Sequence, residues 1–425
     1  MQHRFVLVRS WVQRAKFQLV EFPLPLPSRG RGRTTAEAVP PDAPIVARIF
    51  NPPLLWPDVR QIGRVKSFVR FTVCMMLFGT ALITARAGFN SLYVFGDGLS
   101  TTTNNIQSFP LSTNYYGYRY SNGRVWVEVL AQRQGILYES NKNWSYFDCG
   151  SGDVVTNVGL FNPPASATNA LFVVWVNNVD LYDEALKNNT DLAEWTGAIN
   201  RSQTNHLKAI TNLYFAKGMR TLIAPNAADI SKVPFFNADA RTNFIRQRCI
   251  DYNVAFSNTI SRARVLCPNL KIYVPDIFAL VDDVLAHAAN YGLTNSLKSG
   301  LSIDALSDPA LLNVSPNGPG ASHIFWDYLD PSARFHAVIA DVAQQMISPV
   351  QLAGLVPVNT SNRLDILSVP VGLGGTVLFA TNLVPTNWLT NSTFSSLTVT
   401  QSVFVSPTNS QRFYRLKFPW QWTWP

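Results

Sequence analysis

Residues 94–100 read Val94-Phe95-Gly96-Asp97-Gly98-Leu99-Ser100, VFGDGLS. The run before it, SLYVF, is rich in β-branched and aromatic residues, and the GLSTTTNN that follows is a polar turn leading toward a helix. Asp97 and Gly98 therefore stand at a strand-to-loop corner. In a parallel sheet such a corner presents side chains and backbone N–H groups at the carboxyl edge, where an oxyanion can be stabilised. A loop of this shape is suited to a nucleophile at its fifth residue, and here that residue is Gly98. A GDG triplet alone also makes an ordinary turn, so its meaning rests on the rest of the chain.

Outward from the corner the same grammar recurs. ALFVVWV, TLIAPN and KIYVPD have strand composition, while RVWVEVLAQRQG, the segment from Asp191 to Lys217, ARTNFIRQRCIDYNVAFSNTISRA and ALVDDVLAHAANYG carry helical spacing. This alternation predicts a mostly parallel sheet covered on both faces, with ligands bound where loops converge at the strands' carboxyl ends. After Pro349 the pattern changes. LDILSVPVG, GTVLFATNL, SSLTVTQSVFVS and QRFYRLKF are strand-like and separated by Gly, Pro, Asn and Ser, which predicts a small all-β module of sandwich type. We expect a linker at 350–363, a β-rich accessory domain at 364–418 and a tail, PWQWTWP, at 419–425. Trp388, Phe413 and Tyr414 would stack on sugar rings if exposed and form the module's core if not.

The net charge of +9 suggests nucleic acid until it is located. Residues 1–70 hold 12 Lys/Arg against 4 Asp/Glu, leaving 23 against 22 for the remainder. A near-neutral body argues against a nucleic-acid footprint. Residues 1–64, rich in Arg and Pro without sustained periodicity, are expected to be disordered or to lie upstream of a true start at Val65. Residues 65–87 follow the layout of a secretory signal: Lys66 and Arg70, an apolar run from Phe71 to about Thr84, then Ala85-Arg86-Ala87 before Gly88. The run is shorter than the ~20 apolar residues of a span, so no stable membrane span is expected after cleavage. Export, extracellular or periplasmic, would leave Cys149, Cys249 and Cys267; an odd count permits at most one intrachain bridge, and Cys249 with Cys267 is the nearest pair. No Cys/His spacing suggests a metal, and no cofactor is expected.

Four stretches taken in order resemble the SGNH/GDSL hydrolase family, secreted esterases and lipases. They are YVFGDGLSTTTNN; YRYSNGRVWVEVLAQRQG followed by NWSYFDCGSGD; LFVVWVNNVDLYD; and HIFWDYLDPSARFHAVIAD, with GMRTLIAPNAADISKVP between the last two. The resemblance implies a three-layer α/β/α, flavodoxin-like domain over residues 88–349. It also implies site roles. In the family the first-block serine attacks the ester, a D-x-x-H histidine takes its proton, and the aspartate orients that histidine. Here the serine position is Gly98, the histidine position is Asp330, and Asp327 keeps the orienting position. The implied oxyanion donors are the Gly98 backbone, Gly150, and Asn177 or Asn178; an ungapped match puts Val179 where the family asparagine stands.

Ser100 matches a second serine of family members and is a candidate substitute nucleophile; His336 matches a second histidine and reads as structural, and His323 precedes the FWD stretch. Three readings follow. The chain is a pseudo-hydrolase whose pocket binds a small ester, lipid or glycan. Alternatively, it hydrolyses through Ser100 or through water activated by Asp327 and Asp330. Or it is a structural cell-surface module with a vestigial pocket.

Overall fold

The computed structural model describes residues 88–102, 113–294, 297–298, 300–315, 317–382, 387–406 and 411–419. The expected extension at 1–64, the signal at 65–87 and the tail beyond residue 419 lie outside them.

In chain order the α/β part comprises β1 (Leu92–Gly96), α1 (Trp126–Arg133), α2 (Ser151–Leu160), β2 (Leu171–Trp175), α3 (Asn177–Leu186), α4 (Leu192–Phe215), β3 (Thr221–Ile223), α5 (Thr242–Leu266), β4 (Lys271–Tyr273), α6 (Ile277–Ala286), a two-residue hairpin of β5 (Leu297–Lys298) and β6 (Leu301–Ser302), and α7 (Ala333–Ile347). Strands β1 to β4 form one parallel sheet in the order β1-β2-β3-β4. Every residue of β1 and β2 is buried, so both faces are covered. Alternation sorts the coverings. Tyr93, Phe95 and Phe172 meet Phe161, just past α2, on one face, with ring centroids 4.9, 5.5 and 6.2 Å away. Trp175 meets Trp126 of α1 edge-on at 5.3 Å on the other. Helices α2, α4 and α5 pack in series, while α1 packs on α7, which completes the α/β/α layers.

The outer edge of β1 is not left open. Asn143 bridges Val94 in parallel, Trp144 N–H donates to the Val94 carbonyl at 2.8 Å, and Tyr146 N–H donates to the Gly96 carbonyl at 3.4 Å. This extended segment occupies the flank that a second strand holds in the flavodoxin-like order. Helix termini follow the sequence signals. Asp191 caps α4 through Ala193 N–H and Asp276 caps α6 through Ala279 N–H; Gly135 and Gly218 take positive φ just beyond α1 and α4.

The C-terminal part is built of β7 (Gln351–Val358), β8 (Ser361–Leu367), β9 (Gly375–Ala380), β10 (Leu389–Phe394), β11 (Thr400–Val405) and β12 (Phe413–Lys417). They form two antiparallel three-stranded sheets, β11-β8-β7 and β10-β9-β12, around Leu364, Ile366, Val377, Val403, Val405 and Tyr414. Tyr414 is thus a core residue, and Trp388 lies under the Arg415 guanidinium at 4.3 Å.

Two expectations differ from the structure. Most of the linker anticipated at 350–363 is strand: β7 pairs with β8 across the Asn359-Thr360 turn, with Asn359 at φ +52°. Gly354 and Pro357 disguise it in the sequence, and both are tolerated because β7 is an edge strand with an irregular register between Leu352 and Gly354. Among the described residues, Cys149, Cys249 and Cys267 are free and buried. Cys249 lies within α5 and Cys267 caps it, so 18 residues of helix hold them ~27 Å apart, beyond disulfide reach.

Candidate functional site

Strand β1 delivers the corner. A side chain on Gly96 would place Cβ 2.7 Å from the Trp175 carbonyl, so only glycine lets β1 and β2 approach there. Asp97 then caps a short 3₁₀ turn, Gly98–Ser100: its Oδ1 accepts Leu99 N–H at 3.1 Å and its carbonyl accepts Ser100 N–H at 3.1 Å. Gly98 emerges at the strand's carboxyl end, opposite the rings of Tyr120 and Phe147.

Loops from the other strands meet it around a cavity of about 110 Å3. Asn178 and Val179 come from the start of α3, Ala228 and Asp229 follow β3, and Ile277 opens α6 beyond β4. Leu329 and Asp330 arrive from the stretch before α7, and the rest of the wall is mainly apolar. Gly98, Asp330 and Asn178, three positions singled out from the sequence, therefore share one wall. Asp327 sits directly behind it. Its Oδ1 accepts the backbone N–H groups of Leu329 and Asp330 at 2.8 and 2.7 Å, and its Oδ2 accepts the Tyr115 hydroxyl at 2.8 Å.

The remaining candidates are placed elsewhere. Ser100 is fully buried, is not among the wall residues, and its Oγ accepts Trp126 Nε1–H at 3.0 Å. Asn177 turns its amide to the Pro225 carbonyl at 2.9 Å, outside the wall, whereas Asn178 Oδ1 accepts Ala228 N–H at 3.1 Å. Gly150 caps α2 with its N–H donated to Asp153 Oδ2 at 3.0 Å, and it is not in the wall. In its place stand Phe147 and Asp148, the latter at φ +62°. Aspartate tolerates this left-handed conformation better than most residues. Asp148 and Asp229 were not singled out from the sequence. The only signal for either was its place in a quoted stretch, NWSYFDCGSGD for Asp148 and GMRTLIAPNAADISKVP for Asp229. His336 lies buried in α7 and His323 is buried before the FWD stretch; neither lines the cavity.

Burial governs the electrostatics. It pushes the Asp97 carboxyl up to about 7; the Leu99 N–H and Asn178 amide oppose the rise, and the Asp180 charge adds to it. Asp330 is held well above the ordinary carboxylate range, first by burial, then by the charges of Asp327 and Asp97. Asp327 is also raised by burial, against the Leu329 and Asp330 N–H groups and the Tyr115 hydroxyl. Asp229 is differently placed: it accepts Ser231 N–H and Oγ–H and is paired with Arg246, whose guanidinium also holds Asp282. Among the described residues, the wall contains no serine, threonine, cysteine, histidine, lysine or arginine. The arrangement can enclose a small, largely apolar group and meet it with carboxyl groups, of which Asp97 exchanges its proton near neutral pH.

The parallel α/β/α layering places the cavity at the strands' carboxyl ends, with the β1 corner on one side and the D-x-x-D turn before α7 on the other. Comparison with known proteins sharpens this. No family model matches the chain. Two GDSL esterase/lipases of Arabidopsis thaliana are each 22% identical to it, one over 316 residues (60% of this chain and 81% of the relative) and one over 251 (55% and 69%). Together with the ordered motif blocks these relatives support a divergent GDSL/SGNH-like hydrolase. Among solved structures, an alpha/beta hydrolase enzyme from the Lake Arreo metagenome matches with TM-score 0.36 and 14% identity, covering 62% of this chain and 97% of its own. A gut microbial diltiazem-metabolizing enzyme matches with TM-score 0.37 and 7% identity, covering 74% and 72%. TM-scores this low speak to neither fold nor chemistry.

Proposed function

We propose that the protein is a secreted pseudo-hydrolase, a GDSL-type scaffold whose strand-end cavity binds a small ligand without covalent ester hydrolysis. One observation carries the reading: the described cavity wall offers no hydroxyl of serine or threonine, no thiol and no imidazole, with Gly98 and Asp330 at the nucleophile and base positions. Ser100, the nearest hydroxyl in sequence, is engaged by Trp126. Loss of the serine and histidine together removes the attacking group and its activation, leaving only binding and residual electrostatic contributions. The ligand is a small ester, lipid or glycan. The β-module is an accessory domain, and the protein acts outside the cytoplasm or in the cell envelope.

The carboxylate pair motivates a second reading. Asp330, raised by burial and by Asp327, is a stronger base than an ordinary carboxylate, and water beside it would be a substitute nucleophile. Hydrolysis of p-nitrophenyl acetate by the purified protein separates the two. The pseudo-hydrolase predicts no turnover above buffer; turnover abolished by Asp330→Ala, with Ser100→Ala unaffected, would establish the water route instead.

A further inference from the structure

The cavity's charge is one-sided. Asp97, Asp148, Asp229 and Asp330 line it, and no Lys or Arg does. Only Asp229 has an ion-pair partner among the described residues, Arg246. Asp97 is 1% exposed, and the Asn178 amide faces its carboxyl. Phe147, Trp175 and Tyr182 supply aromatic surface in the same wall. Acidic groups without countercharge, set among aromatic rings, are the chemistry that recognises organic cations.

We propose that the cavity binds an organic ammonium ion, so that the ligand is an amine or an amine-bearing ester whose cationic group sits between Asp97 and Asp330 and whose hydrocarbon part fills the apolar wall. This rests on the reading of the cavity as a ligand site. A carboxylate or phosphate ligand would face four carboxyl groups with no cationic side chain in the wall to hold it. The groups facing the two carboxyls are Asp180, Asn178, Cys149 and Tyr252 toward Asp97, and Asp327, Tyr115, Tyr120, Tyr182 and Tyr328 toward Asp330, with the two carboxyls also facing each other; none of these is cationic. Cation binding therefore favours the ionised acids and releases protons near neutral pH, whereas a ligand that accepts a hydrogen bond from a protonated acid would bind better at low pH.

The test is titration of the full chain with n-butylammonium, n-butanol and butyrate, followed by ligand-observed NMR and calorimetry at pH 6 and pH 8, either side of the Asp97 value of about 7. Butylammonium is expected to bind roughly tenfold tighter than butanol and more tightly at the higher pH, with proton release. Asp330→Asn should abolish that preference for butylammonium over butanol. Butanol or butyrate binding as tightly as butylammonium, or tighter binding at low pH, overturns the cation assignment while the ligand-site reading stands. No binding of any probe at roughly 50 mM, where a fitting fragment of this size would bind, overturns both.

Discussion

The Asp327 carboxylate accepts the backbone N–H of Asp330 at 2.7 Å, so the first acid of the D-x-x-D turn holds the second in place at the cavity wall. Space also remains at the opposite corner. A Cβ built on Gly98 would lie 3.6 Å from Tyr120 and 3.9 Å from Phe147, ordinary contact distances. Gly98→Ser is therefore expected to fold, with stability within about 1 kcal/mol of the parent. Combined with Asp330→His it should raise p-nitrophenyl acetate hydrolysis at least about a hundredfold. A well-folded but inactive double variant would show that the oxyanion donors were lost along with the triad.

Asp97 makes stability fall as pH rises. Its folded value of about 7 exceeds the ~3.9 of an unfolded aspartate, so between these values the native state holds a proton that the unfolded chain has released. Asp97→Asn keeps an acceptor for Leu99 N–H and removes the titration. Its advantage over the parent should grow from near zero at pH 4 to at most about 4 kcal/mol above pH 7. Urea melts of both proteins across that range provide the comparison, and a constant difference would refute the assignment.

His336 acts in the opposite direction. It is fully buried in α7, neither ring nitrogen has a partner, and burial lowers it to about 3. The unfolded imidazole takes up its proton near 6.5, so the native state loses stability as pH falls from there toward 3, by up to about 5 kcal/mol. His336→Leu should flatten the acid side of the stability profile and raise the melting temperature at pH 5. A steeper acid slope in the variant would contradict it.

Arg133 couples the two parts of the chain. Its Nε donates to Asp341 Oδ1 at 2.7 Å within the α1–α7 packing, and its Nη1 donates to the Val371 carbonyl of the β-module at 3.1 Å. Both side chains of the pair are buried, so Arg133→Ala should cost about 3–5 kcal/mol by stranding Asp341. Arg133→Met with Asp341→Leu should recover most of that loss in denaturant melts while leaving only the backbone bond from Val371 N–H to the residue 133 carbonyl across to the module. Limited proteolysis between residues 349 and 372 would then cut both variants faster than the parent.

The sequence by itself determined the layers, because strand and helix periods are local: SLYVF, ALFVVWV and KIYVPD form strands, and the stretches between them with helical spacing form helices. It also marked the corner at Gly98 and the turn at Asp327 and Asp330, since a motif's order along the chain survives substitution of its members. Local signals failed where a neighbour decides. Gly354 and Pro357 read as linker until the edge position of β7 accommodates them, and Cys249 and Cys267 are near in sequence but far apart along one rigid helix. Only the tertiary structure decided which of two adjacent asparagines faces the cavity, that Ser100 is committed to Trp126, and that Asp148 and Asp229 join the wall in place of Gly150. Those outcomes depend on where loops from four strands converge. That convergence is set by packing between segments distant in sequence, which no window along the chain contains.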